Sequence, residues 1–281
     1  MESFSELALQ FSQLSMFPVF DSAHYLVSVM SAREQPGAVD VALRSPMASW
    51  FSAMLYCFGG GILSSIMLAE PPVAVLSNST NIFFASVIWY VVHYFPSDLF
   101  YSFFCYLPIR LIVAGMKEVT RTWKIVSGVT HADSHFKDAM LVMVAIGWAK
   151  GAGGGLISNF EQLVRGVWKP ETNEFLKMSY PVKVSLIGAV LFTLQHTQYL
   201  PISRHNIMFI YTMFLVVTKA RMMLSNSKES PFQPIEAALG RLLFGCQCET
   251  SGTAGSKGQP SKQPSEKESE SATKQQDKKK D

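Results

Sequence analysis

Two glycine runs, each set inside a long apolar stretch, constrain this chain more than any other feature. One reads Phe58-Gly59-Gly60-Gly61-Ile62-Leu63-Ser64-Ser65 and the other Ala152-Gly153-Gly154-Gly155-Leu156-Ile157-Ser158-Asn159. Their first glycines stand 94 positions apart, at 59 and 153. Glycine frees the backbone and removes the side chain, so three in succession weaken a helix. Weak points at corresponding places in two halves of an apolar chain mark a permeation or binding site near the middle of a membrane. The competing reading is that glycine simply lets membrane helices pair closely.

Composition supports a membrane setting. The chain has 281 residues, 48% of them hydrophobic, with a positive mean hydropathy. A spanning helix needs about 20 mostly apolar residues. Seven such segments are expected, at about 17–32, 47–69, 80–96, 108–130, 139–160, 179–198 and 205–224. The aromatic segment 97–106 either extends the fourth helix or lies at the interface. Pro18, Pro46, Pro108 and Pro181 sit near the proposed helix starts, where proline is tolerated. No charged region precedes a short apolar run at the N-terminus, so no cleaved leader is expected.

The basic residues of the short connections set the orientation. Arg33 and Arg44 lie in 33–46, and Arg165, Lys169 and Lys177 in 161–178, whereas the N-terminal stretch and 70–79 hold neither Lys nor Arg. Lys137 and Arg204 are the basic residues of 131–138 and 199–204. With seven spans, the N-terminus falls outside or in a lumen and the C-terminus in the cytosol. Asn78-Ser79-Thr80 is then a lumenal glycosylation sequon, close to a helix.

The halves match beyond glycine. Phe17-Pro18-Val19 resembles Leu107-Pro108-Ile109, 90 positions on. The expected fold is therefore an all-α membrane protein of seven transmembrane helices, a 3+3 inverted repeat plus a seventh helix. Three spans is an odd number, so the second copy enters from the opposite side, and the pseudo-twofold axis lies in the membrane plane.

Lys117, Arg121 and Lys124 are spaced by four and three and share one helix face. A lone charge at mid-membrane costs roughly 2.5–3.5 kcal/mol on insertion scales. Three together require a wet cavity, carboxylates or bound phosphate; otherwise the helix ends at Met116 and the charges face water. Glu118 can compensate one of them. Asp21, His24, Arg110, Lys150 and Lys183 are further polar groups in apolar segments. Lys150, Glu118 and Asp21 are candidate pore-lining residues, and Lys150 adjoins the second glycine run. A basic cluster between helices suits phosphoinositide headgroups, and a charged stripe is also a candidate voltage sensor.

Cys57 and Cys105 lie in apolar segments, and Cys246-x-Cys248 lacks zinc-site spacing, so neither metal nor disulfide is expected. No nucleophile–base pairing accompanies His24 and Asp21, so the chain is not expected to be an enzyme. Nothing calls for a nucleic-acid partner or a cofactor other than lipid. From Ser251 on, Gln, Ser, Lys, Glu and Gly dominate, a composition too polar to bury a core. The domain reading is thus a channel domain over 1–225 and a largely disordered cytosolic tail over 226–281. The final Lys278-Lys279-Lys280-Asp281 resembles a dilysine retrieval signal.

At the basic stripe the chain resembles a known family. Lys117-Glu118-Val119-Thr120-Arg121-Thr122-Trp123-Lys124-Ile125 fits the signature of the trimeric intracellular cation channels, the TRIC proteins. The resemblance extends to Gly151-Ala152-Gly153-Gly154-Gly155, Asn159-Phe160-Glu161-Gln162-Leu163, Trp168-Lys169-Pro170-Glu171, Ser15-Met16-Phe17-Pro18-Val19-Phe20-Asp21 and Ser49-Trp50-Phe51, over roughly 5–245. Ala23-His24-Tyr25-Leu26-Val27-Ser28-Val29-Met30 and Gln195-His196-Thr197-Gln198 are closer to type B. The resemblance implies a homotrimer with a pore in each protomer. It implies a monovalent cation channel, mainly for potassium, in the endoplasmic or sarcoplasmic reticulum, giving counter-ion current during calcium release. It implies gating by voltage and calcium, and binding of phosphoinositide such as phosphatidylinositol bisphosphate. Lys117 and Arg121 then become lipid- or voltage-linked, with Lys124 beside them, and Gly59–Gly61 and Gly153–Gly155 become helix breaks at the pore. One conflict stands: a basic stripe facing a pore repels potassium. On residues alone, a secondary transporter with inverted repeats fits equally well.

Overall fold

The structure is a computed structural model, which describes residues 2–167, 169, 174 and 178–225. The tail from 226, with its cysteine pair and terminal lysines, lies outside the described residues, as does Trp168 of the family motif. All regular structure among the described residues is helical. In order, the helices are α1 (Glu2–Ser12), α2 (Val19–Arg33), α3 (Ala38–Arg44), α4 (Pro46–Met67), α5 (Ser79–Tyr94), α6 (Leu99–Cys105), α7 (Leu107–His135), α8 (Met140–Leu156), α9 (Ser158–Val164), α10 (Tyr180–His196) and α11 (Arg204–Leu224).

Three stretches are long and apolar enough to cross a membrane unaided: Pro46–Met67, Met140–Val164 and Arg204–Leu224. A fourth arises if Ser79–Tyr94 and Pro96–Cys105, bent by 93°, count as one broken span. With these apolar helices the chain is a multi-pass membrane protein. Helices α2, α5, α7 and α10 fall where the other spans are expected but are shorter or carry charge. Proline opens α4, α7 and α10 in the first turn, where its missing N–H leaves no bond unmade. Segment 97–106 does not extend the fourth expected span: α6 is a separate helix, set off from α7 by the extended backbone of Tyr106 and from α5 by the left-handed residues Ser97 and Asp98.

The N-terminal stretch holds a helix that the search for spans does not find. At 11 residues α1 is too short to cross. It lies on α11 and α7 through Phe4–Phe209, Phe11–Phe209 and Phe11–Trp123 edge-to-face contacts and a Ser5–His205 hydrogen bond of 3.1 Å.

Connections collect at two ends. At one end Glu70 meets His131 and His135, and Asp133 meets His196. At the other, Arg33 meets Asp98, Arg110 meets Glu34, and Arg165 donates to the Pro36 carbonyl. Helix α4, about 33 Å long at 1.5 Å per residue, runs from the second end to the first. Asn78 of the sequon caps α5, its side chain accepting from the Asn81 backbone N–H at 3.3 Å.

The glycine runs correct the sequence reading. Gly59–Gly61 do not break a helix, because α4 continues through them to Met67. Gly153–Gly155 lie in the last turns of α8, which ends at Leu156 before a turn at Ile157 leads into α9. Inside a bilayer a broken backbone leaves unpaired N–H and C=O groups, which opposes any break the glycines permit. Their small size is used instead. A Cβ on Gly153 would lie 2.0 Å from the Gly60 Cα, and one on Gly60 would lie 2.5 Å from the Lys150 carbonyl oxygen. The two runs therefore face each other at backbone contact between α4 and α8, as the competing reading holds. Gly128 and Gly147 do the same between α7 and α8, where a Cβ on Gly128 would lie 2.9 Å from the Gly147 Cα.

Candidate functional site: a cationic cavity between the glycine-paired helices

Close approach of α4, α7 and α8 brings the basic stripe and both glycine runs to one place. A cavity of about 210 Å³ is lined by Lys117, Arg121 and Lys124 of α7, by Lys150 and Gly151–Gly155 of α8, and by Gly60, Tyr56 and Cys57 of α4. His24, Ser28 and Ser31 of α2 and Ser179 and Pro181 at the start of α10 complete it, with Glu174. The spacing of four and three turns all three stripe residues inward, as expected for one face. The stripe is not solvent-facing helix beyond Met116, since α7 runs unbroken to His135.

The stripe divides in two. Arg121 is buried, and every face of its guanidinium is engaged. Its Nε donates to Glu118 Oε2 at 2.7 Å and one terminal nitrogen to Glu118 Oε1 at 3.2 Å. The other donates to the Gly151 and Pro181 carbonyl oxygens at 3.1 and 3.3 Å and to Ser185 Oγ at 3.1 Å. Glu118 is 2% exposed and Arg121 7%. The bidentate ion pair lies within α7, and the bonds of the remaining guanidinium nitrogen tie that helix to α8 and α10. A guanidinium suits the role because its planar fork matches a carboxylate while leaving donors for carbonyls.

Lys117 and Lys124 are held by neutral groups on the α2 side. Lys117 Nζ donates to Ser28 Oγ at 3.2 Å. Lys124 Nζ lies 2.6 Å from His24 Nε2, which also contacts the Cys57 carbonyl oxygen at 2.9 Å. Lys150 Nζ reaches Ser127 Oγ at 3.2 Å and feels the charge of Glu70. Asp21 acts on Lys124 electrostatically and is not among the groups lining the cavity. Glu118 likewise faces Arg121 instead of the open space. Of the candidate pore-lining residues, Lys150 alone lines the cavity. Of the glycines, Gly60 and Gly153–Gly155 line it, while Gly59 lies against Ile157 and Gly61 against Val75.

Two further groupings escape sequence reasoning. Glu161, wholly buried, pairs with Arg165 four residues on, and Arg165 reaches across to the Pro36 carbonyl at 2.9 Å. The i,i+4 spacing was the available signal. Glu70, His131 and His135 converge at the other end, and the His pair, four apart on one helix, was the readable half.

An all-helical membrane protein with glycine-paired helices and an internal cluster of cations belongs among transport proteins whose charged groups face a cavity within the bundle. The family model for the TRIC channel matches residues 35–226, and the chain belongs to that family. The trimeric intracellular cation channel type B of Xenopus tropicalis is 73% identical over 275 residues, covering 96% of this chain and 97% of that protein. The type B channel of Homo sapiens is 60% identical over 242 residues, 86% of this chain and 83% of that one. A solved chain described as a TRIC counter-ion channel in calcium release aligns with a TM-score of 0.78 and 79% identity over 79% of this chain and 100% of its own length. A Trimeric Intracellular Cation channel from C. elegans, solved without Ca2+, aligns at 0.74 with 32% identity over 82% of this chain and 99% of its own.

Proposed function

We propose that this chain is a monovalent cation channel, mainly for potassium, of the endoplasmic or sarcoplasmic reticulum membrane, supplying counter-ion current during calcium release. It works as a homotrimer with a path through each protomer. The N-terminus is lumenal and the C-terminus cytosolic. Helices α2, α4 and α5 form one three-helix repeat, α7, α8 and α10 the inverted second, and α11 the seventh span. The second helices of the two repeats carry the glycine runs that face each other, which supports this pairing. The split of the connections between two ends supports alternating passage. The likeness to chains described as trimeric cation channels and as counter-ion channels supports assembly and activity.

The observation that carries the reading is the cavity lined by Lys117, Lys124 and Lys150, whose amines each lie against a serine or a histidine, with Glu174 the one carboxylate among the described lining residues. Phosphates of a phosphoinositide such as phosphatidylinositol bisphosphate neutralise Lys117 and Lys124 there, which relieves the repulsion a bare stripe exerts on potassium. Voltage and calcium act on the same cations, so withdrawing or exposing them gates the path. Arg121, already committed to Glu118, serves as the anchor against which they move.

Single-channel recording of purified protein in a planar bilayer under a potassium chloride gradient tests this. Unitary steps reversing near the potassium equilibrium potential are expected. Reversal near the chloride potential would sink cation selectivity. Transport without unitary steps would favour a secondary transporter of the same architecture.

A further inference from the structure

We propose that Glu70, His131 and His135 form a binding site for one zinc-like divalent transition-metal ion, separate from the cationic cavity. The three side chains come from two places far apart in sequence, the segment after α4 and the last turns of α7. His131 and His135 stand four residues apart on the last turns of α7, so both imidazoles project from one face. Glu70 follows α4. Each Nε2 lies 2.9 Å from the same carboxylate oxygen, Glu70 Oε1. The ligand atoms of the three residues all fall within 4.8 Å of one another.

The ligands are held in place from both sides. The end of α4 closes with Ala69 in the left-handed region, φ 57°. The Ala69 N–H bonds to the Ile66 carbonyl at 3.2 Å and the Glu70 N–H to the Ser65 carbonyl at 2.9 Å. This double closure fixes the Glu70 backbone, and Pro71 and Pro72 restrict the chain that follows. On the other side the helix itself fixes the His pair. The carbonyl end of α7 carries partial negative charge, which favours a cation there.

The donor set selects the ion. Two imidazole nitrogens and one carboxylate oxygen suit zinc and its borderline neighbours, whereas calcium and magnesium take oxygen ligands. Zinc bonds to such ligands at about 2.0–2.2 Å and leaves one tetrahedral position for water. Shifts of a few tenths of an ångström at the side-chain tips make room for it. The metal takes the place of the protons that the imidazoles share with Glu70. Side-chain exposures of 33%, 40% and 25% for His131, His135 and Glu70 give the ion an open approach.

The test uses the full chain with Cys246→Ser and Cys248→Ser, so that tail thiolates do not compete for metal. Calorimetric titration with zinc should give one ion per chain, undisturbed by excess calcium or magnesium. Cobalt should give the intense visible bands of a four-coordinate site without a thiolate charge-transfer band. Adding His131→Gln and His135→Gln should weaken zinc binding by at least about tenfold and abolish the cobalt bands, with the size-exclusion profile unchanged. Equal affinity with and without the histidines, or displacement of zinc by calcium, would overturn the proposal. Should the double variant fail to fold, X-ray absorption at the zinc edge of the Cys-substituted chain decides. Scattering from two imidazoles supports the site, and an oxygen-only shell refutes it.

Discussion

The cations on one face of helix α7 meet two different sets of neighbours, and the two sets treat them differently. Toward α8 and α10, Arg121 is locked by a carboxylate, two backbone carbonyls and a hydroxyl. Toward α2, Lys117 and Lys124 each make a single polar contact to a neutral group among the described residues. Three cations on one helix face thus do two jobs. One carries a charge already balanced by the fold, so its removal exposes the balancing charge. The others carry charge that no carboxylate among the described residues contacts directly, although Asp21 and Glu118 act on it from a distance.

The largest expected effect comes from breaking the locked side. Arg121→Met leaves Glu118 buried and uncompensated, at a cost of about 3–5 kcal/mol in stability. Thermal unfolding followed by tryptophan fluorescence in detergent reads it. Adding Glu118→Gln should recover most of the loss, since replacing both charges removes the orphan. If the double variant is no more stable than Arg121→Met alone, the pair is not the anchor and the contrast between the two sides fails.

The next effect tests whether the locked side depends on backbone contact. Gly153→Val places a side chain where only hydrogen now separates α8 from α4, with the Gly60 Cα at 2.0 Å from the new Cβ. Overpacking costs about 1–3 kcal/mol and pushes apart the helices that frame the cavity. Gly115→Ala, inside the same helix as the stripe but with the nearest atom to its new Cβ, on Val216, at an ordinary 3.5 Å, should not destabilise the chain, and the helix propensity of alanine favours it by up to about 1 kcal/mol. Equal melting temperatures for the two would remove the packing argument.

The open side should respond in function instead of stability. Lys117→Ala deletes one hydrogen bond to the Ser28 hydroxyl and Lys124→Ala one close contact with the His24 ring, each worth about 1–2 kcal/mol, less than the loss from orphaning Glu118. Both should change open probability or voltage response in bilayer recordings and weaken retention on phosphoinositide vesicles. Gating and lipid binding that survive both substitutions would make these lysines structural, like Arg121.

Much of this was legible in the residues. The four-and-three spacing of Lys117, Arg121 and Lys124 announced an inward face, and Glu118 beside it announced one compensated charge. The split was not legible, because the acceptors that finish Arg121, the Gly151 and Pro181 carbonyls, lie 30 and 60 residues away. The glycine runs marked the right place for the wrong reason. Local propensity, about 1 kcal/mol per glycine against alanine, argued for a break. The gain came from a non-local contact between the two runs that neither run reveals alone. Helix α1 escaped because span length was the criterion, although Phe4, Ala8 and Phe11 repeat at helical spacing. Glu70 could not be joined to His131 from the sequence, since 61 residues separate them.

The smallest effect belongs to an exposed carboxylate–imidazole contact, the opposite kind from the buried Glu118–Arg121 pair. Asp133 and His196 meet at 3.1 Å near the end of α7, beyond the span expected to close at 130, with both side chains about a third exposed. The hydrogen bond from His196, and then that from the Asp138 N–H, hold the Asp133 carboxyl below the ordinary aspartate value of 3.8. A carboxyl lowered in the fold contributes stability where the unfolded chain's aspartate is ionised, above that ordinary value. The contribution disappears as pH falls through the lower native value. The melting temperature of the unsubstituted chain should therefore exceed that of Asp133→Asn by a small margin near pH 5, and the margin should shrink as the pH is taken below 4. Solvent and salt screen a pair this exposed, so raising the salt should also narrow the margin, whereas the loss in Arg121→Met should persist. A margin that ignores both acid and salt would mean that shape, not charge, joins α7 to α10 here, and the distinction between buried and exposed pairs would lose its support.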